Sequence, residues 1–288
     1  MKYSLFSLVL PECNPAEAAK LIKEAGYEGV EWRCAPQPDP LPPIPNLWGS
    51  NRTTLDTKKW KTAAVEHGKI TRDHGLEFSN LATYCSAVDL DSVKVAIEIA
   101  KILGCPRFRI TVPSYDGKTP YGEMFRRARQ AYEKCAELCA ANGVQGLLEL
   151  HMGNIAPSAS MAHRLLDGLP PGAVGAIHDP GNMVVEGYEN WKMGCELLGP
   201  YLAFSHAKNS RLRVAGTTES GAVRWAYEPC EMNAGFVDWT AVFKAYRSVG
   251  YDGWVSNEDH YAGPGSALDR LRYGLEHLKR CAALAAKP

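Results

Sequence analysis

The sequence predicts a single α/β domain with the architecture of a (β/α)8 barrel, extending over residues 1–288. Short apolar runs alternate strictly with longer amphipathic stretches, eight of each, and such a barrel requires this alternation. The length of 288 residues also fits one barrel of roughly 250 residues with some additions. Apolar residues make up 45% of the chain, which is enough to fill one large core.

The predicted strands are short apolar runs bounded by turn residues. The first run superficially resembles a secretion signal, but Pro11 and Glu12 follow it without a small-residue cleavage pattern. We therefore predict that this run is the first strand of the barrel. The eight predicted strands lie near residues 3–9, 29–34, 77–84, 107–112, 145–150, 174–178, 202–206 and 253–257.

The predicted helices show apolar residues at helical spacing, and some carry their own boundary residues. In the first helix Asn14 can cap the amino end, Pro15 suits the first turn, and Glu17 completes a capping box. Gly26 predicts where this helix ends. The eight predicted helices lie near residues 15–25, 57–74, 91–103, 121–141, 158–167, 189–198, 238–249 and 266–284.

The charge balance and the cysteines limit the classes of partner and location. Lysine plus arginine and aspartate plus glutamate both number 32, so we expect no nucleic-acid partner and no membrane surface. No run approaches the ~20 apolar residues that a membrane-spanning helix needs. The nine cysteines are scattered without a CxxC pair, which predicts free thiols and a cytoplasmic location.

Four predicted strands in the second half of the chain end abruptly at a metal-binding type of side chain. In parallel barrels the carboxyl ends of all strands meet at one edge, here called the rim, so these four groups should converge. Adjacent members are 30, 27 and 52 residues apart, and the last interval is longer because an insert intervenes. The four residues are Glu149, Asp179, His206 and Glu258.

Three carboxylates and one imidazole around a point predict a site for one divalent cation. This ligand set favours Mn²⁺, Mg²⁺ or Co²⁺ over a structural zinc site, which prefers thiolates and more histidines. Zinc stays open as an alternative because its intrinsic affinity for such groups is high. Any one of these residues alone could equally be a helix cap or an ion-pair partner, so the prediction depends on all four lying in register.

Two stretches depart from the regular alternation and are predicted to be loops at the rim. Residues 35–55 are rich in proline and contain Trp48, and residues 209–237 form a long insert that contains Arg211 and Arg213. Long loops in a compact domain are often functional lids, although plain surface decoration is the alternative for both. Trp48 could stack on a sugar ring or pack within a lid.

The chain resembles the xylose isomerase-like TIM barrels of the sugar phosphate isomerase/epimerase superfamily, over nearly all of its length. The Glu, Asp, His, Glu pattern is similar to that of the ketose 3-epimerases, in which one divalent ion, commonly manganese, binds two neighbouring oxygens of a sugar. The resemblance is carried by residues 25–31, Glu149, residues 178–182, residues 206–209, and residues 250–254 through Glu258.

The resemblance implies a metal-dependent isomerase or epimerase of a keto-sugar or cyclitol, which would act through an enediolate. Glu149 and Glu258 would then be both metal ligands and proton-transfer groups. The alternative is a lyase or dehydratase acting on a keto-sugar, an inosose or a 3-keto-glycoside, with His151 as an additional acid or base. Two further readings, a DNA-repair endonuclease with more histidine ligands and a non-catalytic sugar-binding protein, fit the residues less well.

Several departures from the family pattern concern the substrate more than the metal. Asn182 stands where the epimerases often have a substrate-binding histidine, and Asn209 stands where many members have an aspartate. His260 is predicted to orient a ligand, and alternation predicts that His178 packs away from the metal. Oligomeric state stays open, although homo-oligomers are common in this family. The predicted substrate-binding residues are Glu31, Trp48, Arg109, Asn182, Lys208, Arg211 and Arg213. A structural ion pair is the alternative for Glu31 and Arg109, and a carboxylate partner is the alternative for Lys208.

Overall fold

Eight parallel strands close into a barrel in the computed structural model, which describes residues 1–287. The barrel closes because the first strand pairs with both the second and the last, with Lys2 opposite Trp254 and Ser4 opposite Gly29. The predicted (β/α)8 architecture is therefore confirmed. The barrel strands are β1 (Lys2–Phe6), β2 (Gly29–Ala35), β4 (Glu77–Thr83), β5 (Arg107–Arg109), β6 (Gln145–Glu149), β7 (Val174–His178), β8 (Leu202–Ala207) and β11 (Trp254–Asn257).

Three further strands lie outside this ring. The two-residue strand β3 (Leu55–Asp56) extends the edge of β2. Strands β9 (Ser210–Thr217) and β10 (Val223–Pro229) form a separate antiparallel hairpin directly after β8. The stretch 209–237 was predicted to be a loop, so this hairpin is a regular element that the prediction missed.

Helices flank the barrel, and their bounds agree closely with the eight predicted ones. The predicted capping box of the first helix is present, because Asn14 accepts from the backbone of Ala16 and Glu17 while Glu17 accepts from the backbone of Asn14. A short ninth helix, α6, begins immediately after Asp179. The helices are α1 (Pro15–Ala25), α2 (Trp60–Asp73), α3 (Leu90–Leu103), α4 (Tyr121–Asn142), α5 (Ala159–Leu166), α6 (Pro180–Met183), α7 (Trp191–Leu198), α8 (Trp239–Ser248) and α9 (Ala267–Leu284).

The period-two alternation of the strands decides which residues point into the barrel. A small apolar layer of Leu147, Ile177, Phe204 and Trp254 packs apart from the main core between barrel and helices. Two residues beyond each of the first three, on the same face, stand Glu149, Asp179 and His206. The apolar layer therefore forms the floor beneath the predicted metal ligands.

The sequence also predicted free thiols and no membrane-spanning helix, and the structure bears on both. All nine cysteines are free and buried. Burial raises the pKa of Cys105 and Cys135 to about 12, so both stay as thiols at neutral pH. In the described residues 1–287, no helix has the length and apolar character needed to cross a bilayer.

Candidate metal centre

The four predicted ligands meet at the rim. One potential ligand atom from each of Glu149, Asp179, His206 and Glu258 lies within 4.8 Å of the others, and all four residues are buried. They are delivered by neighbouring strands, since β6, β7, β8 and β11 follow one another around the barrel. Residues up to 109 positions apart in the sequence thus converge because their strands end at the same level.

The imidazole of His206 faces the three carboxylates with one of its two nitrogens. His206 Nδ1 lies 3.0 Å from Glu149 Oε1, 3.2 Å from Glu258 Oε2 and 3.6 Å from Asp179 Oδ2. A side-chain nitrogen surrounded by three carboxylates within this distance is well placed to act as one ligand of a shared cation.

The other nitrogen of His206 faces a fourth carboxylate. Glu31 on β2 places its two oxygens 3.0 and 3.1 Å from His206 Nε2, and Asn80 on β4 donates to Glu31 Oε1 at 2.8 Å. Glu31 is fully buried and does not line the cavity above the cluster. The carboxylate of Glu31 fixes the orientation of His206, which is the ion-pair alternative, and its predicted contact with substrate stays a prediction.

Two buried cations contact the carboxylates from the side of the cavity. Arg109 Nη1 lies 2.5 Å from Glu149 Oε2, and its Nε donates to the backbone oxygen of Thr83. Lys208 Nζ lies 2.7 Å from both Asp179 Oδ2 and Glu258 Oε2. Gly181 makes room for this lysine, because a Cβ at that position would lie 2.4 Å from Lys208 Cγ.

These contacts keep the carboxylates ionised despite their burial. Burial by itself raises the pKa of Glu149, but Arg109 and His206 together hold that pKa well below its usual range. Burial likewise opposes the charge on Glu258, and Lys208 and His206 reverse the effect, so its pKa is also lowered. Both glutamates are therefore ionised at neutral pH and able to act as ligands or proton acceptors.

The charge balance of the cluster fits a divalent cation. Four buried carboxylates, those of Glu31, Glu149, Asp179 and Glu258, contact the cluster, whereas the fixed cations in contact with them are Arg109 and Lys208. Two negative charges are thus left without a fixed partner. Burial lowers the pKa of His206, but Glu31 and Glu258 raise it well above its usual value, so in the protein alone a proton partly offsets this excess. A dication offsets it fully.

A cavity of about 490 Å³ opens above the cluster at the rim. Glu149 and Glu258 line it, whereas Asp179 and His206 lie beneath its wall. The two glutamates are therefore the members of the cluster that a bound molecule would touch. Among the predicted substrate-binding residues, Trp48, Arg109, Asn182 and Lys208 also line this cavity.

The two predicted arginines of the insert lie elsewhere. Arg211 and Arg213 stand on β9 with side chains 50% and 55% exposed, and both pair with Glu228 on β10. Neither lines the cavity. The hairpin turns both side chains towards Glu228 and solvent, so their role in substrate binding stays a prediction without a contact to the cavity.

Three histidines near the cluster occupy different surroundings. His151 lines the cavity, and its Nδ1 lies 2.7 Å from the backbone oxygen of Met152. His260 lies with its Nε2 3.5 Å from Glu258 Oε1, which fits its predicted position beside a ligand. His178 packs on the outer face of β7, as alternation predicted, with Nδ1 2.8 Å from the hydroxyl of Tyr246.

Asn182 occupies the centre of the site rather than its edge. Its Nδ2 donates to Asp179 Oδ2 at 2.7 Å and lies 3.4 Å from Glu149 Oε1, while its backbone nitrogen donates to Asp179 Oδ1. The side chain therefore holds Asp179 in place while lining the cavity. The amide is neutral and lacks the basic nitrogen of the histidine expected at this position.

Tyr84 is a wall residue that the sequence interpretation did not single out. Its ring lines the cavity, with the guanidinium carbons of Arg33 and Arg109 at 5.4 and 4.5 Å from its centroid. It directly follows β4, and that position at a strand end was the signal available in the sequence. Stacking on Tyr84 supports the guanidinium that neutralises Glu149.

The family comparison agrees with the architecture. A family model described as xylose isomerase-like TIM barrel matches residues 19–281. No curated protein sequence matches the chain significantly.

Solved structures with the same fold include sugar epimerases. A 3-keto-D-glucoside 4-epimerase from E. coli is 16% identical, with a TM-score of 0.71, and the alignment covers 98% of this chain and 100% of that one. A D-allulose 3-epimerase from Methylomonas sp. is 15% identical, with a TM-score of 0.72 and 98% coverage of both chains. A xylose isomerase-like TIM barrel protein from Mycobacterium smegmatis, in complex with magnesium, is 16% identical, with a TM-score of 0.70 and coverage of 99% and 98%. At this identity the likeness concerns the fold.

Proposed function

Since the chain belongs to the xylose isomerase-like TIM barrel family, we propose that it is a divalent-metal-dependent isomerase or epimerase of a keto-sugar or cyclitol. One observation carries the proposal: Glu149 and Glu258 both line the cavity and both contact the same imidazole of the cluster. Structural similarity to a 3-keto-D-glucoside 4-epimerase and a D-allulose 3-epimerase supports a carbohydrate substrate.

Glu149, Asp179, His206 and Glu258 would hold the ion, with Mn²⁺ as the proposed metal and Mg²⁺, Co²⁺ or Zn²⁺ as alternatives. The bound ion would polarise two neighbouring oxygens of the sugar and stabilise the negative charge of an enediolate. The uncompensated negative charge of the cluster supports this assignment. A structurally similar protein in complex with magnesium also supports it.

The two cavity-lining glutamates would move the proton. One carboxylate removes the proton from the carbon beside the carbonyl, and the other returns a proton to the opposite face of that carbon or to the neighbouring carbon. The first outcome inverts the carbon and the second shifts the carbonyl. Because their lowered pKa makes both carboxylates weak bases, much of the acidity must come from polarisation of the substrate.

Other residues of the cavity would position the sugar. Arg109 and Lys208 present cationic donors that already hold the two glutamates, and Asn182 adds a neutral amide. Trp48 lies at the cavity wall with its ring edge-on to His260, at 5.7 Å between centroids. This apolar face suits stacking on the C–H face of a sugar ring. The free, buried thiols support a cytoplasmic location.

A lyase on the same site is the second candidate, and His151 favours it. Its Nδ1 lies against the Met152 carbonyl oxygen, so Nδ1 donates and Nε2 is the nitrogen that can exchange a proton. An imidazole on the cavity wall could protonate a leaving hydroxyl or aglycone after the shared proton removal.

The test is a metal analysis of the purified protein followed by exchange in deuterated water. Keto-sugars and inososes are incubated with metal-loaded protein, and carbon-bound deuterium is followed by NMR. Exchange with a new epimer or isomer supports the leading proposal, whereas loss of water or of an aglycone supports the lyase. Absence of exchange with every substrate class would refute both.

A further inference from the structure

The hairpin formed by β9 and β10 has one apolar face. In the register of the two strands, Leu212 lies opposite Tyr227 and Val214 lies opposite Trp225, so these four side chains share a face. Arg211, opposite Glu228, stands on the other face. Trp225 is 57% exposed and Val214 60% exposed, which is unusual for large apolar groups placed side by side.

This apolar face is continuous with the wall of the cavity. Ser210, Tyr227 and Pro229 belong to the same face by the strand register, and all three line the cavity. The hydroxyl of Tyr227 lies 3.3 Å from the backbone oxygen of Val184, which holds the hairpin against the end of α6. Trp225 is two residues further along the strand, about 7 Å beyond the cavity wall.

The cavity itself changes character from its floor to its mouth. Most of its charged groups lie at the floor, around Glu149, Glu258 and Lys208, and Glu228 of the hairpin is a charged group of the outer wall. Its outer wall contains Trp48, Met152 and Tyr227, which are 55%, 36% and 42% exposed. A volume of about 490 Å³ lies in the range of pockets that hold drug-sized ligands, which are larger than one sugar unit.

We propose that the substrate is a glycoside-type sugar carrying an apolar, planar aglycone, and that the hairpin face of Leu212, Val214, Trp225 and Tyr227 is the subsite for that aglycone. The proposal rests on the proposed function, because it places the sugar at the metal cluster. With the sugar at the floor, a group attached to it can leave the cavity only past the outer wall. Tyr227 and Trp225 are flat, rigid surfaces on which an aromatic ring gains both apolar burial and favourable stacking.

The rival occupant of an exposed apolar sheet face is a second copy of this chain. The continuity of the face with the cavity wall through Tyr227 and Pro229 favours a substrate group. A protein partner at this face would cover the mouth of the site as well. The experiment therefore includes a measurement of mass.

Binding is measured by calorimetry with matched pairs of ligands that differ only in the aglycone. Phenyl and methyl β-glycosides of glucose, galactose and xylose are used, each as the parent compound and as its 3-keto form. The ratio of the two Kd values within a pair cancels the contribution of the sugar. We expect the phenyl member to bind about tenfold more tightly, since burial of one ring contributes on the order of 1.5 kcal/mol.

The variants Trp225→Ala and Tyr227→Ala should abolish most of this tenfold preference, which is measured as the ratio of the two Kd values within each pair. Tyr273→Ala is the matched control, because Tyr273 on α9 is 42% exposed, as Tyr227 is, and does not line the cavity.

Equal binding of phenyl and methyl members by the unmodified protein would overturn the subsite and leave the proposed function standing. If no glycoside of either series binds, the subsite is overturned, whereas the proposed function is decided separately by the deuterium-exchange test with free keto-sugars and inososes. Light scattering that shows a dimer only when Trp225 is present would assign the face to a second copy and overturn the subsite.

Discussion

The carboxylate of Glu31 lies directly behind the imidazole of His206, with Oε2 3.0 Å from Nε2. The two residues come from β2 and β8, which are separated in the ring by β1 and β11, and both are fully buried. A carboxylate in this position makes Nε2 the protonated nitrogen and leaves the Nδ1 lone pair free for a cation.

Replacing Glu31 by glutamine should therefore weaken metal binding. The neutral amide no longer favours the Nε2–H tautomer, and loss of such a partner costs about 10-fold to 100-fold in metal affinity. The measurement is titration of the metal-free protein with Mn²⁺. Glu77→Gln is the control, because Glu77 is exposed and pairs with Lys2 at the surface. Equal Kd values for Glu31→Gln and the unmodified protein would exclude the orienting role.

The variants Glu149→Gln and Glu258→Gln should each abolish hydrogen exchange while the fold is retained. Each change removes a carboxylate that lines the cavity, and the loss of a positioned base costs about 10²-fold or more in rate. Exchange of carbon-bound hydrogen in deuterated water measures the effect, at metal concentrations that saturate each variant. Glu133→Gln on α4, which removes an exposed partner of Arg129, should exchange at the normal rate. Normal exchange by both active-site variants would show that neither glutamate transfers the proton.

The variant Lys208→Met should make the thermal stability of the protein more dependent on bound metal. Lys208 Nζ lies 2.7 Å from Asp179 and from Glu258, and its removal leaves two buried carboxylates without their fixed cation. Breaking a buried pair in this way costs about 3 kcal/mol in the metal-free protein. A bound dication should compensate for this loss. The rise in Tm on adding Mn²⁺ should therefore be larger for Lys208→Met than for Lys192→Met, which breaks only an exposed pair on α7. An equal rise would contradict the charge balance described for the cluster.

The metal-free protein should lose stability as the pH falls, because unfolding lets His178 take up a proton. Burial lowers the pKa of His178 to about 4, from an ordinary value near 6.5. Because the folded pKa is the lower one, the unfolded chain binds the proton first, so stability is intact above pH 6.5 and declines as the pH falls towards 4. The loss attributable to this group is about 3 kcal/mol.

Urea unfolding in the presence of a chelator, at pH 7 and at pH 4.5, measures this dependence. Carboxylates also titrate over the lower part of the range, so the informative quantity is the difference between the unmodified protein and His178→Asn. The variant should show a smaller loss of unfolding free energy between the two pH values. Parallel losses in the two proteins would show that His178 is not the titrating group.

The positions of the four ligands could be predicted because they depend on short-range patterns. A strand that ends at Glu149 or His206 places that residue at the rim whatever the rest of the chain does. Which residues contact each other inside the barrel could not be predicted in this way. For Glu31 the sequence leaves a substrate contact and an ion pair equally open, and its contact with His206 depends on the closure of β1 on β11, which brings together residues 175 positions apart.

The β9–β10 hairpin could not be predicted fully for a different reason. Leu212 and Val214 alternate with arginines, as do Trp225 and Tyr227 with polar or small residues, and this period-two pattern was visible in the sequence. Arg211 and Arg213 follow the predicted ligand His206 closely in the sequence, but alternation on the strand turns them away from the apolar face. The pairing with Glu228 could have been anticipated only once the turn between the strands was placed.

Asn209 has a consequence for how the chain could be altered. Its amide donates to the backbone oxygens of Met232 and Val237 and accepts from the backbone nitrogens of Ser210 and Val237. An aspartate could not make the two donations, so the asparagine ties the start of the insert to its end only three residues after His206. The β9–β10 hairpin lies between these ties, so the ends of the insert are held to each other by contacts outside the hairpin. A hairpin of different composition could be grafted between residues 210 and 229, which would redirect selectivity while the barrel and its ligands stay as they are.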